Sequence, residues 1–408
     1  MPTTVQLGFN LAANGIGDYL TLDDPTKGKL NDAAYPLAGD VLVDVTSTVR
    51  DVTVRRGRSR TLEKFTAGLA QVTLDNRTRN YDPNYTASPY YGSIVPRKQV
   101  RITRDGYPVY SGNVESWTWD YDLSGDATAE VRAVDGFASL AQADMTAGTA
   151  PGTTPGARIG TALTYAGWPT AARALSTGNA TLDADVIADG VNVLAYIQKV
   201  EQSEPGAFFM SKDGLATFLS RAQLQDPTSG NVTFGSGGVP IVEYQAASLT
   251  DEMKNSVAVT WTNGSAVGGT VTASDATSIS AYGQFDYSLD TLLDDSLQAQ
   301  RLADWLVSSY KDPKYRIDSV SVLLESLTTM QQGQVLDLEL GDVVTVAVSL
   351  PNINSVGSAV SQVLSIDAIE HRIGVDRHFV TFTMSETTTG FVLDDPAFGV
   401  LNSNSLGF

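Results

Sequence analysis

The segment from residue 55 to residue 102, RRGRSRTLEKFTAGLAQVTLDNRTRNYDPNYTASPYYGSIVPRKQVRI, constrains the fold most. Apolar residues alternate with polar ones at Val72 and Leu74, and again at Val100 and Ile102. This period of two is typical of strands with one buried face. Between the two pairs, Asp-Asn, Asp-Pro and Pro-Arg steps favour turns. The segment therefore predicts a hairpin-rich β-barrel with a long, structured loop between these strands.

The length and the apolar content set the scale of the fold. A chain of 408 residues with 42% hydrophobic residues is too long for one core and predicts about two to four domains. No run approaches the ~18 consecutive apolar residues of a membrane helix. The opening MPTTVQLGFN lacks the basic and apolar parts of a secretory signal. We therefore expect a soluble product of a cytoplasm, with no stable membrane insertion.

The rare and the charged residue types exclude several kinds of chemistry. The chain has no cysteine, which excludes disulfides, thiolate metal sites and cysteine nucleophiles. Its only histidines are His371 and His378. Lys and Arg total 27 against 46 Asp and Glu, and the net charge of −19 repels phosphate backbones and acidic membranes. We predict no specific nucleic-acid binding and no cofactor.

Apolar spacing separates strand-like regions from helical ones. Short strand-like runs fill residues 41–136, and others follow residue 255. Between them, helices are predicted near residues 157–166 and 192–203, and a further helix begins after Asp295. The run QVLDLEL, close to the end of the chain, is predicted as a strand.

These patterns predict a fold class that is mainly β with an α+β insertion. The run TAGTAPGTTPG has the Gly, Pro and Thr content of a linker. The predicted parts are an N-terminal arm (1–37), a first β-barrel domain (38–145), a linker (146–156), a small α+β domain (157–247), a second β-barrel-like domain with one helix (248–385) and a C-terminal arm (386–408).

Basic residues crowd the start of the 55–102 segment, although the chain as a whole is acidic. Arg55, Arg56 and Arg58 stand together between Arg50 and Lys64. Such a run is commonly a solvated strand face. The alternative is an interface with an acidic partner, such as a second subunit. We take the three arginines as interface candidates.

Six landmarks in one order give this segment a family resemblance. They are Arg56-Gly57-Arg58, Ala67-Gly68, Leu74-Asp75-Asn76, Asp82-Pro83, Pro89-Tyr90-Tyr91-Gly92, and Pro96 before Val100-Arg101-Ile102. With them the chain resembles the minor tail proteins of siphophages that infect actinobacteria, the family that builds the tail-tip or baseplate hub. Later segments such as EPGAFFMSKDGLATFLSR and NSVAVTW are similar to the family in the same order. The resemblance covers nearly the whole chain.

The resemblance implies two tube-like antiparallel β-barrel domains and a homotrimer whose barrels cap the sixfold tail tube. It implies contacts with the distal tail protein, the tape-measure protein and other tail-tip or fibre proteins, in a virion whose parts are made in the cytoplasm of a bacterial host. The expected work is geometric, linking the tube to the receptor-binding apparatus and gating the passage of DNA. A tail-associated lysin is disfavoured because larger hub relatives that degrade cell wall carry an added C-terminal enzyme.

Motifs for catalysis and metal binding are weak or missing. The glycine pairs lack P-loop and dinucleotide-binding spacing, and neither G-x-S-x-G nor H-E-x-x-H occurs. His371 and His378 flank a turn, but no third metal ligand is suggested, so a hydrogen-bonded hairpin is favoured over a metal site. Asp120, Asp122 and Asp126 imitate a calcium loop without its glutamate. We predict no enzyme and no metal site.

Two tryptophans keep a second function open. Trp117 and Trp119 lie two apart on a predicted strand, so they face one side and have the spacing to stack on a sugar. Packing between the barrel and its neighbour is the commoner use of such a pair. The alternative function is therefore a receptor-binding or carbohydrate-binding tail protein.

An internal repeat near both ends of the chain supplies the remaining candidates. Residues 22–31 read LDDPTKGKLN and residues 393–402 read LDDPAFGVLN. Asp-Asp-Pro enforces a turn and the glycine permits the backbone angles that return the second leucine. One interpretation is a stable turn used twice. The other is a pair of docking hooks, and its interface candidates are Leu22, Leu30, Leu393 and Leu401.

Overall fold

The computed structural model describes most of the chain. The described residues are 3–9, 41–60, 62–224, 232–248, 252–264, 266–349 and 359–387. Within these ranges no helix combines the length and the apolar character needed to cross a membrane.

Seven antiparallel strands form the first β unit. They are β1 (Thr3–Phe9), β2 (Val41–Asp44), β3 (Val49–Gly57), β4 (Thr66–Asp75), β5 (Gln99–Arg104), β6 (Tyr107–Tyr121) and β7 (Ala127–Val134). Their order in the sheet is β3-β4-β7-β6-β5-β1-β2. Val5 and Leu7 of β1 share one buried cluster with Val52 and Val54 of β3, so the sheet curves around its own core. The alternation at residues 72, 74, 100 and 102 faces this core as predicted.

The β1 strand corrects part of the predicted N-terminal arm. Val5, Leu7 and Phe9 are almost completely buried, and β1 pairs with both β2 and β5. The alternation of apolar residues is present in TTVQLGF, but it is short and its partner strand lies far along the chain.

The middle unit is a compact α+β arrangement. Its elements are α1 (Phe137–Leu140), β8 (Asp144–Met145), β9 (Gly148–Ala150), α2 (Pro155–Tyr165), β10 (Arg173–Leu175), β11 (Asp185–Ile187), β12 (Val191–Asn192), α3 (Val193–Ser203), β13 (Ala207–Met210), β14 (Ala216–Leu219) and α4 (Arg221–Leu224). The predicted hairpin around Lys212 is present as β13 and β14. The linker prediction is corrected, because β9 pairs with β11 and α2 begins within the predicted linker.

The remaining elements form a second β unit and a separate layer. In chain order they are β15 (Thr233–Gly235), β16 (Glu243–Ala247), β17 (Ser256–Asn263), β18 (Ala266–Ser274), α5 (Ala276–Tyr282), β19 (Asp286–Asp290), α6 (Ser296–Tyr310), β20 (Arg316–Leu323), α7 (Thr329–Asp337), β21 (Val343–Ser349), β22 (Ala359–Ile373) and β23 (His378–Glu386). Among the described residues, 3₁₀ turns lie at Thr46–Thr48, Thr170–Ala172 and Leu324–Ser326.

The separate layer consists of the sheet β18-β17-β19 covered by α6. Asp295 caps α6 by accepting a hydrogen bond from the Leu297 N–H, as the acidic helix start predicts. The described part of the region predicted as a second barrel with one helix thus holds three helices and strands of two sheets. The predicted strand QVLDLEL is wrong: its first four residues belong to α7, and the last three, Leu338 to Leu340, lie in a connection before the next strand begins at Val343. A capping box between Thr328 and Gln331 begins that helix.

The second β unit joins the first in one sheet of 13 strands. Its path is β16-β20-β23-β22, and β21 with β15 lies beside the first half of β22. The second half of β22 pairs with β3, in a register that runs from Ala368 opposite Gly57 to Ile373 opposite Val52. We call this β3–β22 contact the seam. The predicted fold class, mainly β with an α+β insertion, is confirmed.

Candidate functional site at the junction of the units

The arginines of strand β3 lie on opposite faces of the strand. Val52 and Val54 point into the core of the first β unit, and Arg56 follows in the same phase. Arg56 lies beyond the end of that core and is only 3% exposed. Arg55, on the other face, is exposed and lies 3.5 Å from the Ser59 hydroxyl.

Gly57 and a β-bulge bring β3 close to β22. The pairing of β22 with β23 slips between Ile366 and Ala368, so Asp367 is the extra residue of a bulge. Gly57 has a φ of 117°, and a side chain there would place its Cβ 2.2 Å from the Asp367 carbonyl oxygen. Only glycine fits this approach, which explains the Arg-Gly-Arg landmark.

Arg58 is held by the bulge. Its backbone N–H donates to the Asp367 carbonyl at 2.9 Å, and its Nε donates to Asp367 Oδ1 at 2.8 Å. The Asp367 carboxylate is 2% exposed, so the guanidinium compensates a buried charge. The guanidinium carbon also lies 4.6 Å from the centre of the Phe65 ring, in cation–π contact.

Arg56 ties three units together. Its Nη2 donates to Glu339 Oε1 at 2.8 Å, and its Nη1 donates to the Met210 carbonyl of the middle unit at 3.3 Å. Glu339 Oε2 accepts the backbone N–H of Lys212 at 2.8 Å. The Lys212 ammonium donates to the carbonyls that end α7, among them that of Leu336 at 2.9 Å. Burial lowers the pKa of Lys212.

A buried carboxylate organises the neighbouring end of the first β unit. Asp135 Oδ2 accepts the Gly68 N–H at 2.6 Å and Oδ1 accepts the Phe137 N–H at 3.0 Å. Burial raises the pKa of Asp135 to about 6, although Arg56 acts in the opposite direction. A Cβ on Gly68 would lie 2.7 Å from Asp135 Oδ2, which accounts for the Ala-Gly landmark.

The loop between β4 and β5 is ordered by a ladder of stacked rings. In spatial order the rings are Phe9, Tyr90, Tyr81, Trp117 and Trp119, with neighbouring centroids 4.1, 5.6, 6.3 and 6.4 Å apart. The Trp119 indole N–H also donates to the Tyr81 carbonyl at 2.5 Å. Both tryptophans pack on the core of the first β unit, so the packing interpretation of the pair is favoured over sugar stacking.

The other predicted polar motifs have structural partners. Asp122 and Asp126 belong to the turn between β6 and β7, and Asp126 forms a bidentate pair with Arg50. His371 and His378 are hydrogen-bonded to each other across the hairpin of β22 and β23. Over the described ranges, no group of three or more His, Asp or Glu side chains has metal-binding geometry.

The interface candidates have different surroundings in the structure. Arg56 and Arg58 pair with acidic groups of the same chain, with side chains only 3% and 10% exposed, and a contact of either with another chain stays a prediction. The prediction for Arg55 stays untested. Leu22, Leu30, Leu393 and Leu401 lie outside the described residues.

Sequence reasoning missed the acidic partners of the junction. Glu339 is 283 residues from Arg56, and Asp367 is 309 residues from Arg58. A weak signal exists for Asp367, because a lone aspartate inside the apolar strand SIDAIE indicates a bulge or a buried pair. Glu339 lies in a segment predicted as strand and has no such signal.

No protein-family model and no curated protein matches the sequence. Two crystal structures share its fold. A tail protein from Neisseria meningitidis MC58 superposes with a TM-score of 0.59 at 12% identity, covering 95% of this chain and 97% of that one. The 43 kDa tail protein of prophage MuSo2 from Shewanella oneidensis gives a TM-score of 0.56 at 13% identity, covering 86% of this chain and 95% of that one. The chain therefore has, over nearly its whole length, the fold of these two tail proteins.

Proposed function

We propose that this chain is a non-enzymatic structural protein of a phage virion, which forms the threefold hub at the tip of a long non-contractile tail. It would link the tail tube and the distal tail protein to the receptor-binding apparatus and gate the passage of DNA. The observation that carries the proposal is the fold shared with two phage tail proteins across almost the full length of all three chains.

The ends of the large sheet support assembly into a ring. In the part of the chain that the structure describes, β2 and β16 lie at the two ends of the main path of the sheet, and each pairs with a neighbour on one side only. Exposed strand edges invite pairing with another chain. Three copies, contributing two β units each, would match a sixfold tube.

The copy number tests the hub proposal. Native mass spectrometry of the purified protein, or cryo-EM of tails that contain it, is expected to give three copies in one ring at the tip. A ring of six copies, or a location along the tail shaft, would contradict the proposal.

The charge of the hub suits the passage of DNA. A trimer carries 3 × −19 = −57 formal charges. Where this charge faces the lumen, it repels the DNA backbone and lets the duplex slide. We expect little retention of DNA in a filter-binding assay at physiological salt, and tight, salt-sensitive binding would argue against this role.

Arg55 is the most exposed of the three basic candidates for a contact with a subunit or the distal tail protein. It is exposed on β3, unlike Arg56. Arg55→Glu is expected to reduce incorporation into tails while the isolated chain stays folded. Arg77→Glu is the matched control, because Arg77 is an exposed arginine paired locally with Asp75. Equal incorporation of both variants would remove Arg55 from the interface.

The repeated leucines are proposed as docking hooks for neighbouring chains. Leu30→Asp with Leu401→Asp would place charges in apolar grooves and so impair tail assembly. Leu123→Asp is the control, since Leu123 is fully exposed at the tip of the β6–β7 hairpin. Normal assembly of the double variant would show that the repeat is only a turn.

A further inference from the structure

The two histidines of the chain form one buried hydrogen-bonded pair. His371 Nδ1 and His378 Nε2 are 2.9 Å apart, and the residues are 5% and 0% exposed. A hydrogen bond between two ring nitrogens requires one donor and one acceptor. At least one imidazole nitrogen of the contact must therefore be unprotonated.

The pair lies where the two β units meet. His371 is opposite Val54 of β3 in the seam register. The His378 backbone N–H donates to Glu325 Oε2 at 2.9 Å. Glu325 Oε1 in turn accepts from Arg104 Nη2 at 2.7 Å, and Arg104 Nη1 donates to the Thr3 hydroxyl of β1 at 2.8 Å. One chain of polar contacts thus connects the histidine hairpin to the first β unit.

Three cations act on the two histidines. Arg104 projects from β5, Arg56 from β3 and Lys212 from the turn between β13 and β14. The nearby carboxylates are engaged, since Glu325 binds Arg104 and Glu339 binds Arg56. Burial, and then the positive neighbours, lower the pKa of both rings, that of His378 to about 3.

If both rings were protonated, the added ring N–H would find no hydrogen-bond acceptor here. Among the described residues, His378 Nδ1 is buried without a hydrogen-bond partner. Protonation of both rings would turn the shared acceptor into a donor and place two like charges in contact, beside Arg104. The buried pair is therefore compatible with at most one of the two rings being charged.

We propose that His371 and His378 form an acid-sensitive latch within the β22–β23 hairpin, which keeps the seam with β3 closed when the rings are neutral and loosens it when they are protonated. Groups whose pKa is lowered by folding stabilise the fold above their ordinary value near 6.5 and lose that stabilisation as the pH falls. The latch is independent of the proposed tail role.

Two buried carboxylic acids respond in the opposite direction. Burial raises the pKa of Asp135 to about 6 and that of Glu201 to about 7. Both therefore favour the folded state as the pH falls toward 5. A loosening of the seam over this range is then attributable to the histidines rather than to these acids.

Amide hydrogen exchange of the full chain at pH 7.5 and pH 5.0, corrected for the intrinsic rates, tests the latch. For a ring whose pKa is 6.5 in the unfolded chain and about 3 in the folded chain, the folding equilibrium constant is about 30-fold lower at pH 5.0 than at neutral pH. We expect amides of β3, β22 and β23 to exchange at least about tenfold faster at pH 5.0. The β17–β18 hairpin is the internal control and should change little. Equal protection of the seam at both pH values would overturn the proposal.

A variant assigns the effect to the pair. His371→Leu with His378→Phe removes both ionisable rings, and seam exchange in this variant is expected to be the same at pH 7.5 and pH 5.0. An unchanged acid response would overturn the proposal. If the variant does not fold, NMR of the wild-type imidazole signals decides, because the chain contains no other histidine. Titration of both rings near pH 6.5 in the intact fold would equally overturn it.

Discussion

The two β units contain similar strands but differ in what fills them. The core of the first unit is almost entirely its own, with Ile373 of β22 as the contribution from the second. The core of the second unit is continuous with that of the middle unit, so Phe234 and Phe382 belong to one cluster with Phe137 and Phe208. One unit is thus closed by its own strands, whereas the other depends on an inserted α+β arrangement.

The difference shows that similar strand patterns do not imply equal independence. The first unit packs the ring ladder from Phe9 to Trp119 on its own core. The second unit has no such ladder in its described part, and its buried residues share one cluster with those of β13, β14 and α3. Damage to the middle unit should therefore spread into the second β unit and stop before the first.

The largest expected effect comes from the shared core. Phe208 is fully buried and stacks on Phe137 with centroids 5.5 Å apart. Phe208→Ala is expected to lower the free energy of unfolding by about 4 kcal/mol, measured by urea denaturation, and to speed amide exchange in β20–β23. Phe9→Ala is the matched change in the first unit, and its effect should stay within that unit. If Phe208→Ala leaves β20–β23 protected, the cores are not coupled.

The next effect separates the buried ion pair from an exposed one. Glu339→Gln leaves the buried guanidinium of Arg56 without a carboxylate, so we expect a loss of about 3 kcal/mol in urea denaturation. Glu370→Gln breaks a pair with exposed Arg372 and should cost less than about 1 kcal/mol. The double change Arg56→Met with Glu339→Met is expected to recover part of the loss. Equal costs for the two single changes would show that the junction is no more than a surface contact.

A third measurement tests the free-energy cost of burying the Glu201 carboxyl group in the middle unit. Burial raises the pKa of Glu201 from 4.5 to about 7, so the wild type loses stability as the pH rises from about 4.5 to about 7. Glu201→Gln keeps an acceptor for the Phe208 N–H but does not ionise. Relative to the wild type it should gain about 3 kcal/mol at pH 8 and almost nothing at pH 4.5, in urea titrations at each pH. A pH-independent difference would contradict the assignment.

The smallest expected effect lies one residue from the junction. Arg55→Ala removes an exposed side chain, so we expect no measurable change in the urea midpoint. Arg56→Ala, its neighbour, removes a buried group that joins three units and should be strongly destabilising. Similar midpoints for the two variants would mean that burial of Arg56 contributes nothing.

Sequence patterns predicted much of this fold, because strand alternation and helix capping depend on residues that are close in sequence. Alternation at Val72 and Val100 placed strand faces correctly, and Asn192 caps α3 close to the predicted helix start. The run QVLDLEL failed because its apolar spacing fits either a strand or a helix end, and the capping box before it decides. The alternation in Thr3–Phe9 is too short to predict a strand by itself, and the strands that pair with it, β2 and β5, lie far along the chain.

The junction could not be predicted because its contacts are distant in sequence. The arginine cluster was conspicuous, but its division into buried Arg56 and exposed Arg55 follows from strand phase and from where the core ends. The partners Glu339 and Asp367 are brought close only by the β3–β22 seam. In the amino-acid sequence, nothing distinguishes these two carboxylates from the many others of this acidic chain.

The seam also has a consequence for synthesis on the ribosome. The first β unit can pair all its other strands once Val134 has emerged, but β3 keeps an open edge until β22 is complete at Ile373. At about 5–20 residues per second, the intervening ~240 residues take roughly 12–48 s. During that interval the nascent chain exposes a strand edge that carries Arg55 and Arg56. Positive charges on such an edge discourage pairing with a neighbouring nascent copy. Arg56, which later secures the junction, therefore also protects the half-made protein from misassembly, together with Arg55.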